Sequence, residues 1–263
     1  MSTVVVQAYD AGSVVIQARN AGSVVIQPYD AGTIIATQSG VTLPSWLSLA
    51  YEALEAGVAD GDPVATQTCP ISGVIRTSAG TARPIYRADY LATGVAGYEA
   101  DGVDDISVTT TTVNLTAGYT YCALVYFPSP LANFRTLYET GVSGVQQGAL
   151  YGNGGATLTL AERDGVVTQV AVGSGVLTGQ WQIITAVHNG ASSELFRDRA
   201  SIGTGTVTLP TSAQVIRFLK GTGVIAPNGM RGAVAADYFG PVSNGTQRTE
   251  LWDYINAKHG VSL

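Results

Sequence analysis

Tyr98-Glu99-Ala100-Asp101-Gly102-Val103-Asp104-Asp105 is the stretch that decides how the chain reads. The residues up to Ala100 suit a strand. Gly-Val-Asp-Asp then suits the turn that ends it, because Gly frees the backbone and short acidic side chains bond nearby amides. The same grammar continues outward on both sides. Strands are expected over about 97 to 100, 106 to 112, 119 to 127, 135 to 139, 157 to 162, 166 to 171, 181 to 188, 194 to 197, 205 to 209, 215 to 219 and 233 to 239, divided by Gly, Asn and Asp. Many short strands at such spacing predict an all-β chain, an antiparallel sandwich of two sheets. Arg163-Asp164-Gly165 fits a hairpin turn between two of them.

Two helices are expected beside the strands. Residues 44 to 57 carry Thr42 as a cap, Pro44 in the first turn, an apolar side through Trp46, Leu49, Ala53 and Leu54, and Gly57 as a stop. Residues 246 to 258 carry Thr246 as a cap, Leu251, Trp252 and Ile255 as a stripe, and Gly260 as a stop. This C-terminal helix is expected to cover a sheet edge or one end of the core.

The first forty residues obey a different rule. Val4 to Ser13, Val14 to Ser23 and Val24 to Thr33 are near-copies of one ten-residue unit, with a decaying fourth copy from Ile34. Each reads as a strand followed by Asp/Asn-Ala-Gly, a turn in which Gly12, Gly22 and Gly32 take the left-handed position. One face of the strands is apolar throughout: Val4, Val6, Ala8, Val14, Ile16, Ala18, Val24, Ile26, Pro28 and Ile34. Such a face needs a covering layer, and Val4, Val6, Val14, Ile16, Val24, Ile26 and Ile34 are the expected assembly residues. Ser13 and Arg19 are six apart, so their backbone groups point to one side. A plain meander needs opposite sides. Either a bulge repairs this or neighbouring strands come from other chains. The chain therefore divides into a decapeptide anchoring and oligomerisation segment, residues 1–40, and a sandwich domain, residues 41–263.

Composition excludes several classes. A net charge of −6, with no Lys/Arg cluster, argues against nucleic acid as a partner. No apolar run is long enough to insert in a membrane, and no secretory leader is expected at the N-terminus. Only 12% of residues are charged, and 32 are Gly, which suits tightly turned strands. Cys69 and Cys122 form no disulfide framework, and Cys122 reads as a small core residue.

The motifs, taken together and in order, resemble the laminin G-like, concanavalin A-like jelly rolls of bacterial and phage proteins. Tyr98 to Asp105 resembles the "F-D-G-x-D-D" strand-turn of that family, and Arg83-Pro84-Ile85-Tyr86-Arg87 resembles the approach to it. Trp46 and Val58 to Val64 are similar to its opening stretch, and Trp181-Gln182-Ile183-Ile184 with Asn189-Gly190 to its central hairpin. Gly232 to Phe239, followed by Arg248, Leu251, Tyr254, Ile255 and Lys258-His259-Gly260, is similar to its closing strand and helix. The resemblance covers about residues 41 to 263. It implies a concanavalin A-like jelly-roll sandwich with a C-terminal helix, preceded by the β-repeat segment. With the repeats it resembles spike and fibre proteins of phages and gene-transfer particles, which dock by a small N-terminal device and present a lectin-like body.

Candidate chemistry follows from side chains. Glu99, Asp101 and Asp104 approximate the E-x-D-x-x-E strand of laminarinase-type hydrolases, where two carboxylates flank the scissile bond. Asp104 is a methylene short, and Gly102 breaks the strand, so the acids read as turn caps and no catalytic residue is assigned. Asp101, Asp104 and Asp105 are hard oxygen donors, but calcium asks for six to eight, and the question of a metal stays open. No cofactor is expected. His188 reads as a satisfied strand residue, and His259 as a partner of the last helix carbonyls. Thirteen Tyr against five Phe suit rings with one wet end. Tyr138, Tyr151, Asn153 and Asp164, beside central strand ends, are the candidate carbohydrate-binding residues.

The function expected from the sequence is a non-enzymatic spike, fibre or decoration protein on a phage-like particle. It binds host cell-surface polysaccharide and joins other virion proteins through its repeats. It is expected as a homo-oligomer, a trimer or higher, on the particle surface after assembly in the bacterial cytoplasm. The alternatives are a structural capsid or tail protein without a ligand and a polysaccharide hydrolase of laminarinase type.

Overall fold

The structure is a computed structural model that describes residues 4–8, 15–19, 24–28, 35–39, 41–55, 57–128, 131–142, 145–164, 166–220 and 228–263. Two sheets and one helix make up the sandwich. The first sheet runs, edge to edge, Ala200–Gly205, Ser193–Arg197, Trp181–His188, Tyr119–Tyr126, Arg231–Gly240, Gly97–Asp101 and Ile85–Arg87. The second runs Val166–Ser174, Thr157–Asp164, Val145–Gly155, Leu131–Val142, Val215–Phe218, Ser107–Thr109, Ile75–Thr77 and Thr66–Thr68. All these pairs are antiparallel. A two-residue strand, Asn228–Gly229, runs parallel beside Leu131–Val142. Thr157–Asp164 and Val166–Ser174 pair antiparallel with Asp164 opposite Val166, the pairing the expected hairpin calls for, while Gly165 of its turn lies outside the described residues.

The central strands of the first sheet are buried on both faces, so they read as continuous apolar runs. All eight residues of Tyr119–Tyr126 are buried, as are all eight of Trp181–His188. Alternation sorts them. Tyr119, Tyr121, Ala123 and Val125 meet Leu137, Tyr138, Leu160 and Phe218 between the sheets. Cys122, Leu124 and Tyr126 belong to a second core with Leu251, Trp252 and Ile255 of α1 (Gly245–His259). Cys69 and Cys122 are both free and buried, and burial pushes the Cys122 thiol up to about 12.

The cap of α1 is Asn244, two residues before the expected Thr246. Asn244 accepts from the Gln247 amide at 2.9 Å while the Gln247 side chain accepts from the Asn244 amide at 3.0 Å, a reciprocal capping box. Gly260 ends the helix at φ 68°, as its type suggests.

The helix expected over 44 to 57 is absent. Leu49–Glu52 is instead a strand, paired antiparallel with Phe239 to Ala236, and a 3-10 turn follows at Ala53–Glu55. The strand Arg231–Gly240 has room for it because its first half pairs with Gly97–Asp101 and its second half is left over. Leu49-Ala50-Tyr51 is too short an apolar run for its periodicity to tell strand from helix, and the vacant sheet edge decides the matter.

The repeats pair in a way that satisfies the parity constraint differently. Val4–Ala8 lies parallel to Val24–Pro28, with Val4 opposite Val24, and Val15–Arg19 lies parallel to Ile35–Ser39, with Val15 opposite Ile35. Each decapeptide skips its neighbour and pairs with the next but one, so no strand has to offer opposite sides to consecutive units. Of the expected assembly residues, Val14 and Ile34 lie outside the described residues, as do the side chains of Val4, Val6, Ile16, Val24 and Ile26.

Candidate functional site

The Leu49–Glu52 strand positions the most developed polar site. Leu49 and Tyr51 point into the core between the sheets, which sends Ala50 and Glu52 toward α1. Tyr254 and Lys258, four residues apart and so on one face of α1, meet Glu52 there. A cleft of about 460 Å³ opens at this junction, walled by Leu43, Ala50, Glu52, Thr68, Tyr254 and Lys258 among others.

Glu52 is 5% exposed yet fully engaged. Its Oε1 accepts from the Tyr238 hydroxyl at 2.8 Å and the Tyr254 hydroxyl at 2.6 Å, and its Oε2 lies 3.6 Å from Lys258 Nζ. Burial, then the Glu52 charge, push the Tyr238 hydroxyl well above its usual range, so it stays a donor. The Glu52 carbonyl accepts from Gln67 Nε2 at 2.6 Å and from the Tyr98 hydroxyl at 2.7 Å. Gln67 Oε1 in turn accepts from Arg76 Nε at 3.0 Å. Arg76 reaches Asp237 Oδ2 at 2.8 Å, and Asp237 Oδ1 accepts from the Tyr121 hydroxyl at 2.7 Å. The guanidinium also sits 4.6, 4.9 and 5.0 Å from the ring centres of Tyr51, Tyr98 and Phe218. The cleft wall is thus a carboxylate held rigid by a network running into the core, with an ammonium and an exposed Thr68 hydroxyl beside it. Such a set orients hydroxyl groups.

Neither Glu52 nor Arg76 stands out in the sequence. Glu52 lies within the stretch read as a helix, and Arg76 in a polar, turn-rich stretch that gives no sign of its burial.

The acidic turn brings its three carboxylates together. The strand ends at Asp101, Gly102 takes φ +84°, and the carboxylate oxygens of Asp101, Asp104 and Asp105 lie within 4.8 Å of one another. Each has internal work. Asp105 accepts from the Asp101 amide at 2.7 Å, Asp101 from the Val103 amide at 2.7 Å, and Asp104 from the Thr81 hydroxyl at 2.8 Å. Burial, reinforced by Asp101 and Asp104, raises the Asp105 carboxyl to about 6. Three carboxylates that already bond their own loop or Thr81 fall short of the six to eight oxygens calcium takes. Arg135 and Lys220 steady the turn, donating to the Gly102 and Val103 carbonyls. Glu99 lies back on the strand in an ion pair with Arg87 at 2.6 Å. Asp104 follows Gly102, past the strand end, so no single strand presents Glu99 and Asp104 as a hydrolytic pair.

Of the candidate sugar residues, the structure places the side chains of Tyr138 and Tyr151, both in the interior. Tyr138 is fully buried, its hydroxyl 3.0 Å from that of Tyr119 and its ring 4.4 Å from that of Tyr121. Tyr151 is 1% exposed, packed with Ala149 and Ala161. Both lie within paired strands, where the register places their rings in the interior, beyond reach of a glycan. Asn153 and Asp164 lie on Val145–Gly155 and Thr157–Asp164, with side chains outside the described residues. His188 is buried, as expected, with Nε2 2.9 Å from the Thr208 carbonyl oxygen. His259 departs from expectation: it is 6% exposed, and neither ring nitrogen has a hydrogen-bond partner among the described residues.

No family model and no curated protein matches the chain. Solved structures do share the fold. Trypanosoma rangeli sialidase in complex with 2,3-difluorosialic acid is similar at a TM-score of 0.55 and 11% identity, over 85% of this chain and 35% of the sialidase. Domain 4 of AbnA, a GH43 extracellular arabinanase from Geobacillus stearothermophilus, in complex with arabinotriose, is similar at a TM-score of 0.51 and 14% identity, over 78% of this chain and 97% of that domain. The chain therefore spans about a third of the sialidase it matches. At these identities the likeness shows the fold, a β-sandwich of the type these proteins contain. It also overturns the expectation of a chain without enzymatic activity. Sialidases and an arabinanase contain this sandwich, so the fold gives no ground for setting glycan processing aside.

Proposed function

We propose that the chain binds host cell-surface polysaccharide through the Glu52 cleft, as a spike, fibre or decoration protein of a phage-like particle. The observation that carries the binding is the cleft itself: a buried carboxylate pinned by two tyrosine hydroxyls, with Lys258 and Thr68 at its side. Lys258 and Glu52 balance each other's charge, so the site suits hydroxyl-rich sugars. The domain of AbnA that shares the fold was solved with arabinotriose, which supports a sugar as the ligand class.

The repeats support the particle assignment. Their strands pair parallel and in register, Val4–Ala8 with Val24–Pro28 and Val15–Arg19 with Ile35–Ser39, unlike the antiparallel pairing of the sandwich, which supports a separate role for them in attachment. Their expected partners are other particle proteins and further copies of the chain, three or more. Its place is the particle surface, after assembly in the bacterial cytoplasm.

Glycan-array screening with the whole chain, followed by calorimetry on the best ligand, tests the binding. Lys258→Ala and Thr68→Val, both at the cleft mouth, are expected to weaken affinity about tenfold each, the equivalent of about 1.4 kcal/mol per lost hydrogen bond. Binding unaffected by both substitutions, or a chain that retains no glycan, overturns the proposal.

A further inference from the structure

The segment that carries Glu52 also carries a second cleft. The Ser48 amide donates to the Phe239 carbonyl at 2.8 Å, so Ser48 already runs alongside the sheet and shares a side with Ala50 and Glu52. Around Ser48 lies a cleft of about 290 Å³, walled by Trp46, Ser48, Val113, Asn114, Gly240 and Pro241 among others. Ser48 of this cleft and Ala50 of the Glu52 cleft are two residues apart, about 7 Å along a strand.

The groups in this second cleft differ in kind. Trp46 is half-buried and lies on Gly240, where a Cβ would come within 2.6 Å of the indole ring, so the plate is fixed before any ligand arrives. Its Nε1 finds no acceptor among the described residues. Asn114 is exposed, and its Oδ1 accepts from the Thr116 amide at 3.1 Å and the Thr116 hydroxyl at 2.9 Å. That fixes the carboxamide and leaves its NH2 as the outward donor. A rigid aromatic plate beside an amide donor and a serine hydroxyl matches a sugar ring. The C–H face of the ring lies on the indole while its hydroxyls meet the polar groups.

We infer that the Trp46 cleft is a stacking subsite for a second sugar ring, and that one oligosaccharide runs along the 44–52 segment from Trp46 to Glu52. The inference rests on glycan binding at the Glu52 cleft. The division of labour is physical: Lys258 and Thr68 at the mouth of the Glu52 cleft bond hydroxyls, with Glu52 holding the wall in place, and the Trp46 cleft adds area through a preformed apolar face. Affinity must therefore depend on ligand length.

Calorimetry and tryptophan fluorescence on the whole chain, with arabino- and laminari-oligosaccharides from monosaccharide to hexasaccharide, test this. The expected result is affinity rising about tenfold once the ligand is long enough to fill both clefts, with the fluorescence change appearing at that same length. Trp46→Ala is expected to flatten the length dependence and Trp46→Phe to retain most of it. Asn114→Asp, which keeps the oxygen that accepts from Thr116 and removes only the NH2 donor, is expected to reduce it. Affinity independent of length, or a length dependence indifferent to Trp46→Ala and Asn114→Asp, overturns the second subsite alone. A chain that binds no member of either series overturns it together with the reading of the Glu52 cleft.

Discussion

Arg76–Asp237 and Arg87–Glu99 are the same pair of functional groups at nearly the same distance, 2.8 and 2.6 Å, but in different surroundings. The side chains of the first pair are 5% and 1% exposed, and those of the second 40% and 34%. Inside the sandwich, both ions have given up water. The Tyr121 hydroxyl, the Gln67 amide oxygen and three ring faces stand in its place. At the surface, water and salt compete with every contact. The lesson is that an ion pair at the interior is a commitment of the fold, whereas one at the rim is an ornament of it.

The largest expected effect breaks the interior pair. Asp237→Leu leaves the Arg76 guanidinium buried without its counter-charge and is expected to cost about 3–5 kcal/mol of stability. The urea midpoint at unchanged denaturant slope measures it. Arg76→Met combined with Asp237→Leu removes both charges and is expected to recover most of the loss. A single substitution costing under about 1 kcal/mol would mean that water reaches the guanidinium, and the contrast between the pairs would disappear.

A second interior effect appears with pH. Burial lowers the imidazole of His188 to about 4, while burial and then Lys258 lower that of His259 to about 3. Between those values and the ordinary 6.5, the unfolded chain takes up protons that the folded chain refuses. Stability therefore falls as pH drops from about 6.5 toward 4, by an amount on the order of a few kcal/mol. Asp105 works in the opposite sense. Its carboxyl, raised to about 6, disfavours the folded state once ionised, so its part of the stability is lost as pH rises through about 6. Denaturant titrations at pH 7 and 4.5 are expected to show the histidine effect in excess. His259→Leu is expected to flatten the slope, and an unchanged slope would place the proton uptake elsewhere.

How much of this was legible depends on range. Local pattern sufficed for the strands around Tyr119–Tyr126 and Trp181–His188, for the turn at Gly102 and for α1, since turn residues and alternation act within a few positions. The 44 to 57 stretch misled because Pro44 and Gly57 frame a short apolar run as they would frame a helix. The competing influence was the free half of the Arg231–Gly240 edge, far away in sequence. The repeats announced strands and ruled out a plain meander, but pairing with the next unit but one is a long-range choice. The site was hidden for the same reason. Glu52 acquires its role from Tyr238 and Tyr254, contributed by the last strand and α1. The abundance of Tyr pointed to wet rings, whereas Tyr119, Tyr121 and Tyr138 satisfy their hydroxyls inside the core.

The smallest expected effect sharpens the comparison from its weak side. In a double-mutant cycle, Arg87→Ala and Glu99→Gln remove the surface pair one partner at a time and then together. The coupling energy is expected to be at most about 0.5 kcal/mol near 0.15 M salt, because two mobile side chains must be held together for an attraction that water and ions already weaken. At about 1 M salt it is expected to fall below detection. The short 2.6 Å contact does not alter this, since distance sets the Coulomb attraction only after the surrounding dielectric has divided it. A coupling above about 2 kcal/mol, insensitive to salt, would place Arg87 and Glu99 with the interior pair, and burial would no longer separate the two.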